Sequence, residues 1–309
     1  MIRLLDTQTF FDLLKLPYPS VRDGVLERLK NEGLIATRPD GWAITNLGAI
    51  LFAKQLDSID SLARKTTRVI VYDGPGKLKT RLEQIGAKGY AVGFEGLIEF
   101  INAQIPTNEL IRKALREEHK MFPAIAVREL VANALIHQDF EQFGSSVMVE
   151  IFSDRIEISN PGLPSIKPER FIDEYRSRNE RLARMMRRVG VCEEKGSGID
   201  KVVNAAEVYQ LPAPDFRVGE NRTTVLMFAH QEFKDMERDD RIRACYQHCC
   251  LKCVMNQKMT NASVRDRFGL TPAKSMIASQ LIAATVEAGL IRQEAGTSKK
   301  FARYRPYWA

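Results

Sequence analysis

The sequence has no long apolar run, and this absence excludes a helical membrane protein. No stretch of its 309 residues approaches the roughly 20 apolar residues that cross a bilayer. The opening segment MIRLLDTQTFFDLLKL also lacks the basic start, long apolar stretch and small-residue cleavage site of a secretory signal. We therefore expect a cytoplasmic protein with no membrane partner.

A phosphate-binding loop of the Walker type is also missing. The segment GPGKLKT follows a predicted strand but lacks the G-x-x-x-x-G-K-[ST] spacing, and no other segment has that spacing. Since the translocase loop of a helicase is absent, helicase activity is not expected.

Cysteine is scarce, with five residues, and four of them surround His248. These four are Cys245, Cys249, Cys250 and Cys253. In a helix, Cys245 and Cys253 would lie roughly 12 Å apart along the axis, too far to share one zinc ion with bonds of about 2.3 Å. We therefore favour a buried stripe in which free cysteines act as small apolar side chains, and a metal site is the alternative. The stripe would consist of Ala244, Cys245, Cys249 and Val254.

What the chain does have is an excess of positive charge. Its net charge is +7 and its pI is about 9.1, which is compatible with a nucleic-acid partner. Much of the excess lies after Leu290, where the acidic residue Glu294 faces five cations. We expect these cations to contact DNA phosphates. They are Arg292, Lys299, Lys300, Arg303 and Arg305.

Three units are predicted along the chain: 1–62, 63–235 and 239–309. The first unit reads as two helices, the second starting at Ser20 and stopping at Gly33, then an Asp-Gly turn and another helix. That pattern fits a winged-helix-like unit or a generic helical subdomain. In the last unit, a helix, a short helix, a longer helix and a basic hairpin follow the order of a winged helix-turn-helix.

The middle unit mixes strands and helices. TRVIVYDGP and TTVLMFAH read as single strands, and SVMVEIFSDRIEISNPG reads as two strands with a turn at Ser153-Asp154. Helices are predicted within GYAVGFEGLIEFINAQIP, ending before Pro106, over VRELVANALIHQD and over 179–188. The fold class is therefore α/β (α+β), a sandwich with a mixed, largely antiparallel sheet.

The segment VRELVANALIHQD, residues 127–139, has two unlike helical faces. At about 100° per residue, one face is wholly apolar. It collects Val127, Leu130, Val131, Ala134 and Leu135. The other holds Glu129, Asn133 and His137 among small or apolar residues, where a solvated face would carry Lys, Arg and Gln. We therefore expect the second face to be covered by a ligand or by protein, unless Glu129 and Asn133 only satisfy nearby backbone groups.

Glycines precede a later helix in KGSGIDKV. Gly196 and Gly198 leave backbone N–H groups and the positive end of the helix dipole open to a phosphate, with Lys195 and Ser197 beside them. A lone GSG is weak evidence. Its position after a Glu-x-x-x-Asn helix and an Asn-Pro-Gly turn makes the signal more specific.

This order of motifs is carried by IAVRELVANALIHQDF, VEIFSDRIEISNPGLP and SRNERLARMMRRVGVCEEKGSGIDKV. The chain resembles the GHKL ATPases and, within them, the RecG-like helicase C-terminal family of Schlafen/AlbA-associated transcriptional regulators. The resemblance runs through most of the chain and is densest over 124–203. It implies a GHKL-like sandwich that holds ATP and Mg²⁺ between sheet and helices. Relatives carry an AlbA-type domain upstream, so the sequence is either a fragment or a version without that domain.

The resemblance also implies roles for single residues. Glu129 matches the glutamate that polarises the attacking water, and Asn133 matches the amide that holds Mg²⁺ on the phosphates. Gly196 and Gly198 match the second glycine box. The first box normally offers an Asp to the adenine amino group, whereas SNPGLP offers Asn160 and then Gly162.

Further polar residues could serve the site or the fold. His137 lies one turn beyond Asn133 and reads more readily as a satisfied structural histidine than as a ligand-binding one. Arg178 and Asn179 could reach phosphate, yet a helix N-cap is the simpler role for Asn179.

We therefore predict a homo-oligomeric, ATP-binding, DNA-associated regulator of transcription with at most slow Mg²⁺-dependent hydrolysis. One rival is a DNA-binding regulator whose GHKL-like domain is inactive and only dimerises or senses another ligand. Another is a kinase of the histidine-kinase type, for which no helical hairpin with a phosphoacceptor is evident. The last unit could also dock protein instead of DNA.

Overall fold

The computed structural model describes residues 2–112, 115–192, 198–296 and 301–309. Its α-helices are α1 Thr7–Leu13, α2 Arg22–Asn31, α3 Asn46–Phe52, α4 Tyr90–Gln104, α5 Ala124–His137, α6 Glu180–Arg188, α7 Gly198–Val208, α8 Arg238–Val254, α9 Asn261–Arg267 and α10 Ser275–Glu287. Its strands are β1 Ile35–Arg38, β2 Gly41–Ile44, β3 Arg68–Tyr72, β4 Thr80–Ile85, β5 Thr107–Arg112, β6 Leu115–Lys120, β7 Met148–Ile151, β8 Arg155–Pro161, β9 Asp215–Val218, β10 Arg222–Phe228, β11 Ile291–Gln293 and β12 Tyr304–Pro306. Short 3-10 turns occur at Ile2–Leu4, Leu56–Ser58, Ala63–Lys65, Pro168–Arg170 and Pro272–Lys274. Within these ranges, none of the helices combines the length and the apolar character needed to cross a membrane.

One six-stranded sheet organises the middle of the chain, in the order β4-β3-β7-β8-β10-β9. β3 and β7 run parallel, and the other neighbours in this sheet run antiparallel. β7 and β8 form a hairpin across Ser153-Asp154, with Ile151 opposite Ile156. The predicted α/β (α+β) class with a mixed, largely antiparallel sheet is therefore confirmed.

Both faces of α5 are buried along most of the helix. The predicted core face is buried throughout, at Val127, Leu130, Val131, Ala134 and Leu135. On the second face, Ala126, Glu129 and Ile136 are each 5% exposed or less. The reason is that α5 lies on β8 and packs against α4 and α7. The expectation that the second face is covered is confirmed, and protein supplies most of the cover.

The buried apolar side chains form two clusters. The larger cluster runs from Leu5 to Met227 and joins the N-terminal segment to the sheet and its helices. The smaller cluster centres on α8, α9 and α10. α7 contributes to both, because Val202 lies in the first cluster and Val203 in the second. This helix is thus a shared element of the sheet domain and the C-terminal helices.

Both ends of the chain contain the elements predicted for them. α2 begins at Arg22 rather than at the predicted Ser20, since Val21 precedes it in an extended conformation. Gly33 follows α2 with φ of 71°, as a glycine helix terminator should. In the last unit, α8, α9 and α10 are followed by the β11–β12 hairpin. The division into three units and their winged-helix character stay predictions.

The cysteine-rich segment lies inside the smaller core. Ala244, Cys245 and Cys249 of the predicted stripe are fully buried, which confirms that part of it, whereas Val254 is only partly buried against the same core. Cys250 is also a fully buried free thiol. Burial raises the pKa of Cys245 and of Cys250 to about 12. The His248 ring hydrogen-bonds the Glu207 carboxylate, with 3.0 Å between Nδ1 and Oε1. In the described ranges, no three His, Cys, Asp or Glu side chains are grouped to hold a metal ion.

Candidate functional site: a cleft between helix α5 and the sheet

A cleft lies between α5 and the sheet. Glu129, Asn133 and His137 form its helical wall, and Ile158 of β8 and Val225 of β10 form part of its floor. The segment between β8 and α6 lines a further side, and the first residues of α7 border the cleft beside Glu129. The polar face of α5 that the sequence singles out therefore faces a cavity and not bulk solvent.

The N-terminal end of α7 abuts the two polar residues of α5. A Cβ atom at Gly198 would lie 2.9 Å from Glu129 Oε2 and 3.5 Å from Asn133 Nδ2. Because real Cβ contacts are longer than 2.9 Å, any larger residue at this position would require the Glu129 carboxylate to move. Helix N-terminal ends carry partial positive charge and backbone N–H donors. The structure thus brings the N-terminal end of α7, which has the donors and the partial charge to attract an anion, beside a carboxylate and an amide.

Lys201 faces Glu129 from the first turn of α7. Its Nζ lies 3.6 Å from Glu129 Oε1, and 30% of the Lys201 side chain is exposed against 6% for Glu129. A lysine in a first helical turn is unfavourable toward the helix dipole unless a nearby anion compensates. Lys201 was not among the predicted site residues, although a lysine in the first turn of a helix indicates that an anion lies nearby.

Asn160 lies at another part of the cleft wall, on β8. It is 8% exposed, and β10 places Thr223 directly opposite it. The Asn160 Nδ2 group donates to the Pro161 carbonyl at 3.0 Å, which leaves the amide oxygen as an acceptor. An amide oxygen can accept a hydrogen bond from an exocyclic amino group. The adenine-binding role of Asn160 stays a prediction.

Gly162 has a backbone role beside the cleft. Its φ is +102°, and a Cβ atom there would lie 2.8 Å from Asp139 Cβ, so glycine is required on both grounds. Its N–H donates to the Asn221 carbonyl at 2.9 Å, and its carbonyl accepts from Thr223 Oγ1 at 2.8 Å. Gly162 is not one of the cleft-lining residues. Its contact with a nucleotide stays a prediction.

His137 ends α5 and lines the cleft with Arg178. Burial lowers the pKa of His137 to about 4, and the positive charge of Arg178 adds to the effect. Arg178 Nη2 donates to the Leu163 carbonyl at 2.6 Å, and its Nη1 lies 3.5 Å from Asp139 Oδ2. At this end of the cleft, Arg178 is an anchored positive charge and the His137 imidazole is neutral at pH 7.

The expected N-cap role of Asn179 is wrong. Its side chain makes no cap hydrogen bond to its own helix, α6. Instead, Asn179 Nδ2 donates to the carbonyls of Ile136 and Gln138, at 2.7 and 2.8 Å. Those carbonyls belong to the C-terminal end of α5, where acceptors lack partners within the helix. Asn179 thus fixes the end of the helix that carries the cleft residues.

Several cleft residues have no local sequence signal. Phe171, Tyr175 and Thr223 line the cavity, as does Arg187, whose Nη1 donates to Tyr175 Oη at 3.0 Å. Most of these residues lie in α6 or in the irregular segment before it. The residue pattern of these segments does not show which side chains face the cleft. Three predicted ligand-binding residues, in the glycine loop, lie outside the described residues. They are Lys195, Gly196 and Ser197.

The described candidates for nucleic-acid binding lie on or beside the β11–β12 hairpin. Arg292 lies directly opposite Arg305 in this hairpin, and Arg303 is exposed. Like charges in direct opposition destabilise a strand pair. The arrangement presents a concentrated positive charge. Lys299 and Lys300 lie outside the described residues.

Comparison with known families identifies part of the chain. Residues 144–227 match the family model described as "Putative ATP-dependent DNA helicase recG C-terminal". The matched range contains Asn160 and Gly198 from the cleft, and it ends within β10. This part of the chain is therefore similar to an ATPase-like domain family. No curated protein matches the chain.

A solved structure has a similar fold. The chain is similar to the DIP2311 protein from Corynebacterium diphtheriae, with 18% sequence identity and a TM-score of 0.60. The match covers 99% of this chain and 62% of that chain. This chain thus spans about three-fifths of the length of the solved protein, and the likeness shows the fold alone.

The cleft residues fit a magnesium-bound nucleotide chemically. At Gly198 the backbone forms a cradle that a Cβ atom would fill, beside the positive end of α7. Asn133 offers an amide oxygen, a ligand type that Mg²⁺ accepts. The floor is apolar at Ile158 and Val225, next to the Asn160 acceptor, which suits a planar base.

Proposed function

We propose that the chain is a cytoplasmic, DNA-associated regulator that binds ATP·Mg²⁺ in the cleft. The contact of Gly198 with Glu129 and Asn133 carries this proposal, because it combines an anion-binding helix end with a carboxylate and an amide. The ATPase-like family match over 144–227 supports the nucleotide part. The adenine amino group would face Asn160, and the phosphates would face α7.

Each polar residue then has a chemical task. Asn133 would hold Mg²⁺, which neutralises phosphate charge when bound. The Glu129 carboxylate accepts a proton from water in the hydrolytic reaction. Since that carboxylate also pairs with Lys201 at 3.6 Å, we expect hydrolysis to be slow. Lys195, Gly196 and Ser197 would complete the phosphate contacts.

α7 offers a route from the cleft to the C-terminal helices. Its other end carries Glu207, which His248 of α8 contacts at 3.0 Å and Arg267 of α9 at 3.6 Å. A ligand that shifts Gly198 therefore acts on a helix that is also fixed in the second core. We propose that this linkage changes how the hairpin cations Arg292, Arg303 and Arg305, with Lys299 and Lys300, are presented to DNA in a homo-oligomer.

Thermal unfolding with and without millimolar ATP·Mg²⁺ tests the proposal. A ligand that binds only the folded state stabilises it by about 2.7 kcal/mol at a hundred times its dissociation constant. We expect the midpoint to rise for the wild type and for Asn204→Ala, an exposed asparagine of α7 outside the cleft lining. The rise should shrink in Asn133→Ala. No rise in the wild type at saturating nucleotide would refute nucleotide binding.

A nucleotide-independent DNA-binding regulator is the second candidate. It is favoured by Asn160 in place of the usual aspartate and by the engagement of Glu129 with Lys201. In that case DNA binding would depend on salt and not on ATP. An ATP hydrolysis rate that is unchanged by Glu129→Ala would also favour this candidate.

A further inference from the structure

The exposed side of α6 carries an arginine stripe. It consists of Arg181, Arg184 and Arg188, which recur at three- and four-residue spacing and therefore share one face of the helix. All three arginines are exposed. The opposite face of α6 packs into the larger core through buried leucine, alanine and methionine side chains. α6 is thus a firmly seated helix with one basic face.

Two arginines of the stripe lack an acidic partner. Within the described ranges, no carboxylate lies within 4.0 Å of Arg181 or Arg184. Arg188 pairs with Glu32 at 2.5 Å, and Glu32 is also paired with Arg28 at 3.1 Å. The one carboxylate that touches the stripe is therefore shared by two cations, and the stripe keeps its positive charge.

The stripe belongs to the most basic segment around the cleft. Residues 176–188 hold six arginines and one glutamate, a local charge of +5, where the whole chain has +7. The guanidinium group binds phosphate oxygens with two parallel hydrogen bonds. α6 shows no exposed large apolar side chain, which a helix that inserts into a lipid surface would need.

We infer that the arginine stripe is a contact surface for the phosphate backbone of duplex nucleic acid. From Arg181 to Arg188 the helix axis rises about 10 Å, which equals the rise along the duplex axis of about three phosphates of one strand at 3.4 Å each. Such contacts position a duplex without reading its sequence. The inference rests on the proposed function only for the class of partner. It needs neither the nucleotide cleft nor the β11–β12 hairpin.

Fluorescence anisotropy with a labelled 20-base-pair duplex of mixed sequence tests the inference across a series of salt concentrations. The test variant is Arg181→Ala/Arg184→Ala. The matched control is Lys79→Ala/Arg81→Ala, which removes two exposed cations at the sheet-edge strand β4. A third variant, Arg292→Ala/Arg303→Ala, removes two cations from the hairpin region. Unfolding midpoints establish that each variant is folded. Arg184→Ala alone, with Arg81→Ala as its control and half the change in slope, replaces the test variant if Arg181→Ala, whose side chain lies over Gly33, disturbs the fold.

We expect the stripe variant to bind about tenfold more weakly at low salt and to lower the slope of the log–log salt plot by roughly 2. The β4 control should bind like the wild type. Equal losses in both variants would mean that net charge alone is responsible and would overturn the inference. Wild-type affinity in the stripe variant, or no binding by the wild type at 50 mM salt, would overturn it as well. The hairpin variant tests the proposed DNA contact separately, so the two ideas can fail independently.

Discussion

The two ends of α7 hold carboxylates in different surroundings. At the N-terminal end, Glu129 of α5 faces Lys201 at 3.6 Å, and nearly a third of that lysine is exposed. At the C-terminal end, Glu207 contacts two almost fully buried side chains, the His248 imidazole and the Arg267 guanidinium. A partly exposed ion pair exchanges readily with water, whereas a buried one cannot. The contrast indicates that the C-terminal end of α7 is fixed and that its N-terminal end can shift. We expect this arrangement in a helix that responds to a ligand.

Loss of Glu207 should be the most damaging change. In Glu207→Ala, Arg267 would stay buried without the carboxylate that lies 3.6 Å away, and His248 would lose its Nδ1 partner. Removing one partner of a buried pair costs about 3 to 5 kcal/mol. We expect a loss of that size in the free energy of unfolding, measured by urea titration.

Glu287→Ala is the matched control for this measurement, since Glu287 is an exposed glutamate of α10. Its effect should stay within about 0.5 kcal/mol, as is usual for surface substitutions. A loss at Glu207 no larger than this would mean that the C-terminal end of α7 is not fixed by the cluster, and the contrast between the two ends would fail.

The stability of the folded protein should depend on pH through His137, which lines the cleft. Its pKa is about 4 in the folded protein and 6.5 in the unfolded chain. Between these values the unfolded chain binds more protons, so stability is full above pH 6.5 and falls as the pH drops toward 4. The loss is on the order of 3 kcal/mol, since one pKa unit corresponds to about 1.4 kcal/mol.

Unfolding free energies of the wild type and His137→Gln between pH 4.5 and 8 would measure this contribution. The variant lacks the titrating ring, so its stability should decline less across the same window. Parallel pH profiles for the two proteins would show that His137 titrates normally and that the cleft does not exclude water from its ring.

Local motifs made the polar wall of the cleft predictable. Glu129, Asn133 and His137 recur every four residues, so helical geometry alone puts them on one face. Gly198 was predictable because a glycine at the start of a helix leaves backbone N–H groups open to an anion, and because it follows the Glu-x-x-x-Asn helix and the Asn-Pro-Gly turn in order. Much of the sheet followed from alternation in β7 and β8. These inferences need information only from within one element.

Contacts between distant segments could not be predicted. Glu207 and His248 lie 41 residues apart in the chain, and the sequence around either residue does not indicate that the two are in contact. Asn179 was expected to cap α6 because asparagine favours that position, yet tertiary contact with α5 offered two carbonyls instead. The arginine stripe, in contrast, follows from helical periodicity within α6 alone.

The smallest effect should come from Lys201. Lys201→Met removes a partly exposed ion pair from the cleft end of α7 while keeping the aliphatic length of the side chain. A pair with a partly exposed lysine contributes less than about 1 kcal/mol, because water competes for the lysine amine and screens its charge. We therefore expect a small change in the urea midpoint, which shrinks further in high salt. A loss comparable to that of Glu207→Ala would mean that both ends of α7 are equally fixed, and a ligand at Gly198 would then have no movable element to act on.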